Sequence, residues 1–472
     1  MCQNSPGFRF APSGLRASCP GLLIGAVLAA LSAIAAIAAV GGEEPRQLSS
    51  ERTLCTGRSD IPWDRQISSC TALIQSDRET AKNRAVAYNN RAIAYFGKRD
   101  FDRAVADYDQ AVRLDPDYAY GYYNRGNAYQ AKGDNDRAIL DYDKALALQP
   151  NMSAAIYNRG NAYRAKGQID RAIVDYDEAL RLYPQYFQTY GNRGIAYYAK
   201  KDFDRAIADY DEALRLNPNY ANAYGNRGLA YAAKGAFDRA IADYDEALRI
   251  RPGAIDYNNR GLAYHAKKDF DRAIADYDAV LRLDPKFISA YSNRSDAYRV
   301  KGEGGRALAD LDQAIMLDPT YAAGYFARGR THFAAGALAK AQADLKQARE
   351  LEPNNAYYAL WLDLAERRLH VRSDLAEAAS RFDMTAWPGP VVRLLLGETT
   401  PAALLAATND PDPDRKQGKL CEADFFSGEV ALRDGADQEA ARLFRRAVDD
   451  CAPTFFETTA AKAELEALGV RP

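Results

Sequence analysis

Seven asparagines recur along this chain, Asn90, Asn124, Asn158, Asn192, Asn226, Asn259 and Asn293. A primary amide carries both donor and acceptor. A row of amides on one surface can therefore pair with the backbone of an extended peptide whatever its side chains. Each bond adds a net ~0.5–1.5 kcal/mol, so several must act together. Residues one before, three after and six after each asparagine fall on the same helical face and would supply selectivity: Tyr123, Tyr157, Asn127, Asn161, Gln130, Arg164, Tyr198, His265 and Arg299. The same amides could instead cap or bridge neighbouring elements, and the residues alone leave both uses open.

An arginine stands directly after every asparagine of the column: Arg91, Arg125, Arg159, Arg193, Arg227, Arg260 and Arg294, with Arg328 continuing the register. Sixteen residues after each comes an aspartate: Asp107, Asp141, Asp175, Asp209, Asp243, Asp276, Asp310 and Asp344. A guanidinium entering a helix seam without a partner faces a large desolvation penalty. The two sets are therefore expected to form ion pairs between paired helices, within a repeat. An arginine array that binds anions is the alternative.

Catalytic groupings are absent from the sequence. The three histidines, His265, His332 and His370, share no metal-ligand spacing with one another or with cysteine. No nucleophile elbow or phosphate-cradling loop occurs, and Gly302-Glu303-Gly304-Gly305 reads as a turn. No catalytic, cofactor or metal residue is assigned, and the chain is read as a non-enzyme. The alternative is a hydrolase or other enzyme with an unrecognised carboxy-terminal site. Lys+Arg 62 against Asp+Glu 64, spread without a basic stripe, argues against a nucleic-acid partner.

What positions these columns is a repeat. Asn124, Asn158, Asn192 and Asn226 lie 34 residues apart, and the series continues with one residue deleted after Pro252. Eight units follow: 85–118, 119–152, 153–186, 187–220, 221–253, 254–287, 288–321 and 322–355. In the third, a first helix from about Ala154 to Ala165 is broken by Gly167, and a second from about Asp170 to Leu182 ends before Pro184. Gly160 and Ala172 are small where two backbones must approach, and Tyr163, Tyr176, Ala179 and Leu180 form the apolar stripe. A single pair cannot bury that stripe, whereas stacked pairs share one core.

The second unit's Tyr122, Gly126, Tyr129, Ala138, Tyr142, Ala145 and Pro150 resemble the tetratricopeptide (TPR) pattern position by position, apart from Arg where that pattern prefers Leu. The resemblance implies an all-α fold, an α-solenoid in the form of a right-handed superhelix of antiparallel helix pairs. It places the first helices, with the asparagine column, on the concave face. The TPR part of O-linked N-acetylglucosamine transferases is similar in carrying such a ladder. The implied function is an adaptor or scaffold that binds a protein or extended peptide in its groove, with no cofactor.

The ends differ. Residues 1–42 carry Arg9 and Arg16, no acidic residue before Glu43, and an apolar run from Gly21 to Val40. They read as an export signal, or as an amino-terminal inner-membrane anchor if residues 21–40 are retained. Either reading gives a periplasmic location and leaves the membrane as a partner only through that segment. Beyond it lie Cys55, Cys70, Cys421 and Cys451, an even count that suggests disulfides 55–70 and 421–451 in an oxidising compartment. Closing a loop of ~15 residues is worth ~3 kcal/mol. Four buried free thiols are the alternative. Residues 43–84 form an amino-terminal cap with a degenerate half repeat, in which Cys70 takes a slot held elsewhere by Tyr.

After the eight repeats, 85–355, come capping helices and a linker, 356–414. They include a helix at Tyr357–Leu369, a short helix near 391–408 and a Pro/Asp linker at Asp410–Asp414. TPR-like helices follow in 415–472, with Gly428, Ala440, Phe444 and Ala447 in helix-pair spacing, Cys421 opening the first helix and Cys451 closing the second. From Trp361-Leu362 through Trp387-Pro388, Leu394-Leu395-Leu396-Gly397 and Phe425-Phe426-Ser427-Gly428-Glu429, this tail is similar to the bacterial TPR lipoprotein NlpI. That resemblance implies a partner among cell-envelope peptidoglycan hydrolases or the protease that degrades them. The lipidation cysteine of that family is missing here, so anchoring does not carry over.

Overall fold

A computed structural model of the chain describes residues 46–56 and 61–471. The segment read as an export signal or anchor lies outside the described residues. Among the described residues, no helix is long and apolar enough to cross a membrane.

Two helices, α1 (Arg46–Cys55) and α2 (Trp63–Gln75), precede the repeats. Repeats one to five are the pairs α3 (Ala81–Gly97) and α4 (Phe101–Leu114), α5 (Ala119–Ala131) and α6 (Asn135–Leu148), α7 (Ser153–Ala165) and α8 (Ile169–Leu182), α9 (Phe187–Ala199) and α10 (Phe203–Leu216), α11 (Ala221–Ala233) and α12 (Phe237–Ile250). Repeats six to eight are α13 (Ala254–Ala266) and α14 (Phe270–Leu283), α15 (Ile288–Val300) and α16 (Gly304–Leu317), α17 (Ala322–Ala334) and α18 (Leu338–Leu351). The tail holds α19 (Ala356–Arg368), α20 (Leu375–Ala378), α21 (Gly389–Leu395), α22 (Pro401–Ala406), α23 (Pro413–Arg433), α24 (Asp437–Asp449) and α25 (Phe456–Ala467). The chain divides into two compact units between Arg251 and Pro252, at the shortened repeat. Each unit is an all-α solenoid of antiparallel pairs.

Close approach of the two helices in a pair explains the small residues. A Cβ added at Gly126 would lie 2.7 Å from Tyr142, at Gly194 2.6 Å from Tyr210, and at Gly261 2.7 Å from Tyr277, all three tyrosines being fully buried. The turn between the helices needs a left-handed residue. Gly133, Gly167 and Gly235 supply it freely, while Arg99, Lys201 and Lys268 adopt positive φ at the same turn position. Asp100, Asp134, Asp202 and Asp269 then cap the second helices, each accepting the backbone N–H three residues on.

Within each unit the first helices of most successive repeats approach one another more closely than the second helices do. The first helices therefore form the inner layer and the second helices the outer one.

The tail departs from the sequence reading in two places. The single helix expected near 391–408 is broken into α21 and α22, because Gly397 turns the chain at φ 76° and Thr400 caps a new start at Pro401. Cys421 does not open a helix. Asp412 accepts from the N–H groups of Asp414 and Arg415, so α23 begins at Pro413 within the expected linker, about two turns earlier. Cys55 is bonded to Cys70 and Cys421 to Cys451.

Candidate functional site

Along the inner layer, the asparagine column lies between repeats. Asn158 Nδ2 donates to Asn127 Oδ1 at 2.8 Å, and Asn192 Nδ2 donates to Asn161 Oδ1 at 2.9 Å and Tyr157 Oη at 2.8 Å. Asn124 bonds Asn89 at 2.9 Å, and Asn293 bonds Asn258 at 3.0 Å. Asn90, Asn226 and Asn259 are buried as well. The acceptor of each bridge is itself fixed from the second helix, since Tyr142 donates to Asn127 and Tyr176 to Asn161, each at 2.8 Å. The structure therefore gives Asn124, Asn158, Asn192 and Asn293 a bridging use. Their donors are aimed at the preceding repeat because the inner face is closely packed at that depth.

The arginine column forms the expected pairs within each repeat. Arg125 reaches Asp141 through Nε at 2.8 Å and Nη2 at 2.7 Å, and Arg328 reaches Asp344 at 2.8 and 2.6 Å in the same fork. A further acceptor was missed in the sequence. Arg125 Nη1 also bonds Asp109, Arg159 bonds Asp143 and Arg193 bonds Asp177, at 2.8, 2.7 and 2.6 Å, each from the preceding repeat's second helix. The Asp-x-Asp triplet in the second helices of repeats one to seven, Asp-Tyr-Asp in the first six and Asp310-Leu311-Asp312 in the seventh, was the available signal. Burial pushes the Asp141, Asp209 and Asp243 carboxyls up, against the pull of their arginines. With both carboxylates engaged, the column is a clamp between helices, not an open anion array.

Nearer the open side of the inner layer are the residues six after each asparagine. Gln130, Arg164 and Tyr198 are each partly exposed there. Tyr157 and Asn161 are partly exposed too, whereas Tyr123 and Asn127 are buried. In the second unit the same register holds His265 and Arg299, both buried, and there the face is covered. Arg299 Nη1 donates to Thr459 Oγ1 at 2.7 Å, and Arg299 Nη2 donates to the Thr454 carbonyl at 2.9 Å. Helix α25 also packs on α17. A segment from the chain's own carboxy terminus thus lies across the inner face of repeats seven and eight.

The repeats are recognised independently of this geometry. Tetratricopeptide repeat models match residues 119–152, 191–255 and 254–287, and a TPR repeat model matches 92–133 and 160–201. The chain is a tetratricopeptide repeat protein.

Solved structures resemble part of the chain. A tetratricopeptide repeat protein from Parabacteroides merdae is 22% identical, with 52% of this chain and 98% of that chain covered at a TM-score of 0.43. YrrB, described as a TPR protein with an unusual peptide-binding site, is 27% identical, with 43% and 99% covered and a TM-score of 0.36. PilF of Pseudomonas aeruginosa is 21% identical, with 43% and 92% covered and a TM-score of 0.39.

Where α25 crosses the TPR face, buried charge gathers that the sequence reading did not single out. Trp387 Nε1 donates to Glu422 Oε2 at 2.7 Å, and Tyr357 Oη lies 3.1 and 3.2 Å from the two Glu422 oxygens. Burial, then the neighbouring Glu457, pushes Glu422 up to about 8. Burial pulls Arg330 down to about 10 against the opposing charge of Glu457, and its guanidinium stacks 4.4 Å from the Phe456 ring. Nearby, Arg368 bonds both Glu429 and Glu464 at 2.9 Å, while burial pushes Glu429 up to about 7. These groups tie α17, α19 and α23 to α25 inside the core formed around Trp361, Phe425, Phe426 and Phe456. The carbons that bury them belong to long-range contacts, and no local spacing marks them. Among the described residues, no three His, Cys, Asp or Glu side chains are grouped to hold a metal ion.

Proposed function

We propose that this TPR protein is an exported adaptor that holds a partner protein, or an extended segment of one, along the inner face of its first helices. The observation that carries the reading is the seating of residues 454–459 on Arg299, since a first-helix face here accepts a polypeptide segment through a backbone carbonyl and a hydroxyl. In the unit before Pro252 the groove-lining candidates are Tyr157, Asn161, Arg164 and Tyr198, with Tyr123, Asn127 and the asparagine column holding the repeats in register beneath them. Binding is the role assigned, and no catalytic step is.

Export rests on the charged and apolar pattern of residues 1–42, and the two disulfides accord with an oxidising compartment. A cell-envelope hydrolase or protease is the partner class proposed from the similarity of the tail to NlpI. The test is a photo-crosslinking residue placed at Tyr198 on the inner face or at Leu140, which is 66% exposed on an outer helix. A defined partner crosslinked in the envelope from 198 and not from 140, and binding the purified chain, is the expected result. Crosslinking from 140 alone would move the interaction to the outer face and defeat the groove assignment.

A further inference from the structure

Two arginines occupy the same register position, six residues after the repeat asparagine: Arg164 after Asn158 and Arg299 after Asn293. Their surroundings differ in one informative respect. Arg299 is neutralised from within its own helix, Asp296 accepting from Nε at 2.9 Å, and the rest of the guanidinium grips the carboxy-terminal segment. His265 faces the same carboxylate at 3.1 Å, and Arg299 and His265 together hold Asp296 well below the usual carboxylate range although burial works against its charge.

At the third repeat, the residue in the place of Asp296 is Asn161. Its carbonyl oxygen already accepts from Tyr176 and Asn192, and it brings no charge. No carboxylate of the described residues pairs with Arg164, and its Nε is buried without a hydrogen-bond partner. The cation is set instead among tyrosines: the charge of Arg164 is felt by both Tyr176 and Tyr210, whose hydroxyls lie in the core beneath the groove, and the Tyr210 hydroxyl is buried without a partner too. Each arginine of the repeat column, by contrast, has at least one carboxylate, as does Arg299. A partly desolvated guanidinium without a counter-ion is unfavourable in the empty groove and becomes favourable when a ligand supplies the missing charge.

Resting on the groove reading, we propose that Arg164 is a specificity site for a side-chain carboxylate, so that the segment held between repeats two and four carries an Asp or Glu at the position facing it. The acid that the second unit supplies in cis, Asp296, is here supplied by the partner.

The experiment is a display selection of random 12-residue peptides on the full chain, repeated on Arg164→Gln and on Asn161→Asp. Asn161→Asp keeps the acceptor that Tyr176 and Asn192 use and restores an internal counter-ion. Bound peptides are assigned to the groove by crosslinking from position 198. Their affinities are measured by fluorescence anisotropy, each against its analogue with Gln in place of the acid. Wild-type chain is expected to enrich one Asp or Glu, and both variants and the Gln analogue are expected to weaken binding at least about tenfold, as for removal of one partner of a desolvated charge pair. Circular dichroism at 222 nm shows that each variant remains folded. Peptides that crosslink from 198 without acidic enrichment, or acidic peptides indifferent to both variants, would overturn the proposal and leave the groove reading standing. Selection of no groove-bound peptide would overturn both.

Discussion

Replacing Asn192 by alanine separates a bridging role for the amide column from a peptide-holding one. Asn192 is 2% exposed, and its Nδ2 donates to Tyr157 Oη at 2.8 Å and Asn161 Oδ1 at 2.9 Å. Two bonds at a net ~0.5–1.5 kcal/mol each give ~1–3 kcal/mol. The void left by the carboxamide adds to this, because a packed interface relaxes only partly. Asn161 Oδ1 keeps its bond from Tyr176 at 2.8 Å, so the acceptor is not orphaned and the loss stays near ~2–3 kcal/mol. In a repeat array that loss is local, since each repeat depends chiefly on its neighbours. Native-state hydrogen exchange is therefore the assay, read on the amides of α7–α10, with urea unfolding followed at 222 nm beside it. Faster exchange concentrated in repeats three and four is expected. Unchanged exchange and midpoint, with peptide binding lost, would refute the bridging argument and return the column to the groove.

Gly194→Ala should cost ~1–3 kcal/mol by overpacking, since its Cβ would lie 2.6 Å from the buried Tyr210 ring; a urea midpoint equal to wild type would show that the pair can separate freely. Lys201→Gly and Lys268→Gly should each stabilise the chain by ~0.5–1 kcal/mol by relieving positive φ, net of the added freedom of the unfolded glycine, with thermal melting as the check. The pH dependence follows from Glu422 and Glu429, pushed up by burial to about 8 and about 7. Between the unfolded carboxyl range and those values the folded state binds more protons, so stability of the tail falls as pH rises from about 5 to 8. Melting at several pH values should show this, and Glu422→Gln should flatten it; a tail that grows more stable over that interval would contradict the burial argument. Reducing the Cys421–Cys451 bond, which spans a sequence separation of 30, should lower stability by ~3–4 kcal/mol in the chain-entropy model, measured by melting with and without a reductant.

Within a repeat the sequence was nearly sufficient. The third unit's helices run Ser153–Ala165 and Ile169–Leu182, each within one residue of the bounds read from Gly167 and Pro184. Arg125 finds Asp141 because a turn of fixed length between two helices of fixed pitch sets which residues face each other sixteen positions apart. The cap at α2 was legible because Asp64-Arg65-Gln66-Ile67 echoes the start of a repeat's second helix, with Cys70 in the slot held elsewhere by Tyr.

Between repeats the sequence alone was insufficient. Whether Asn158 meets a ligand or Asn127, and whether Arg125 also meets Asp109, depends on the rotation and separation of successive pairs, which one repeat's residues do not contain. Thr454 and Thr459 reach Arg299 across 155 and 160 residues, through a fold-back that no local periodicity encodes. Helix formation and pairing arise from contacts close in the chain. The direction of an amide, the second acceptor of a guanidinium and the covering of an inner face arise from packing between distant segments, and only the tertiary structure decided them.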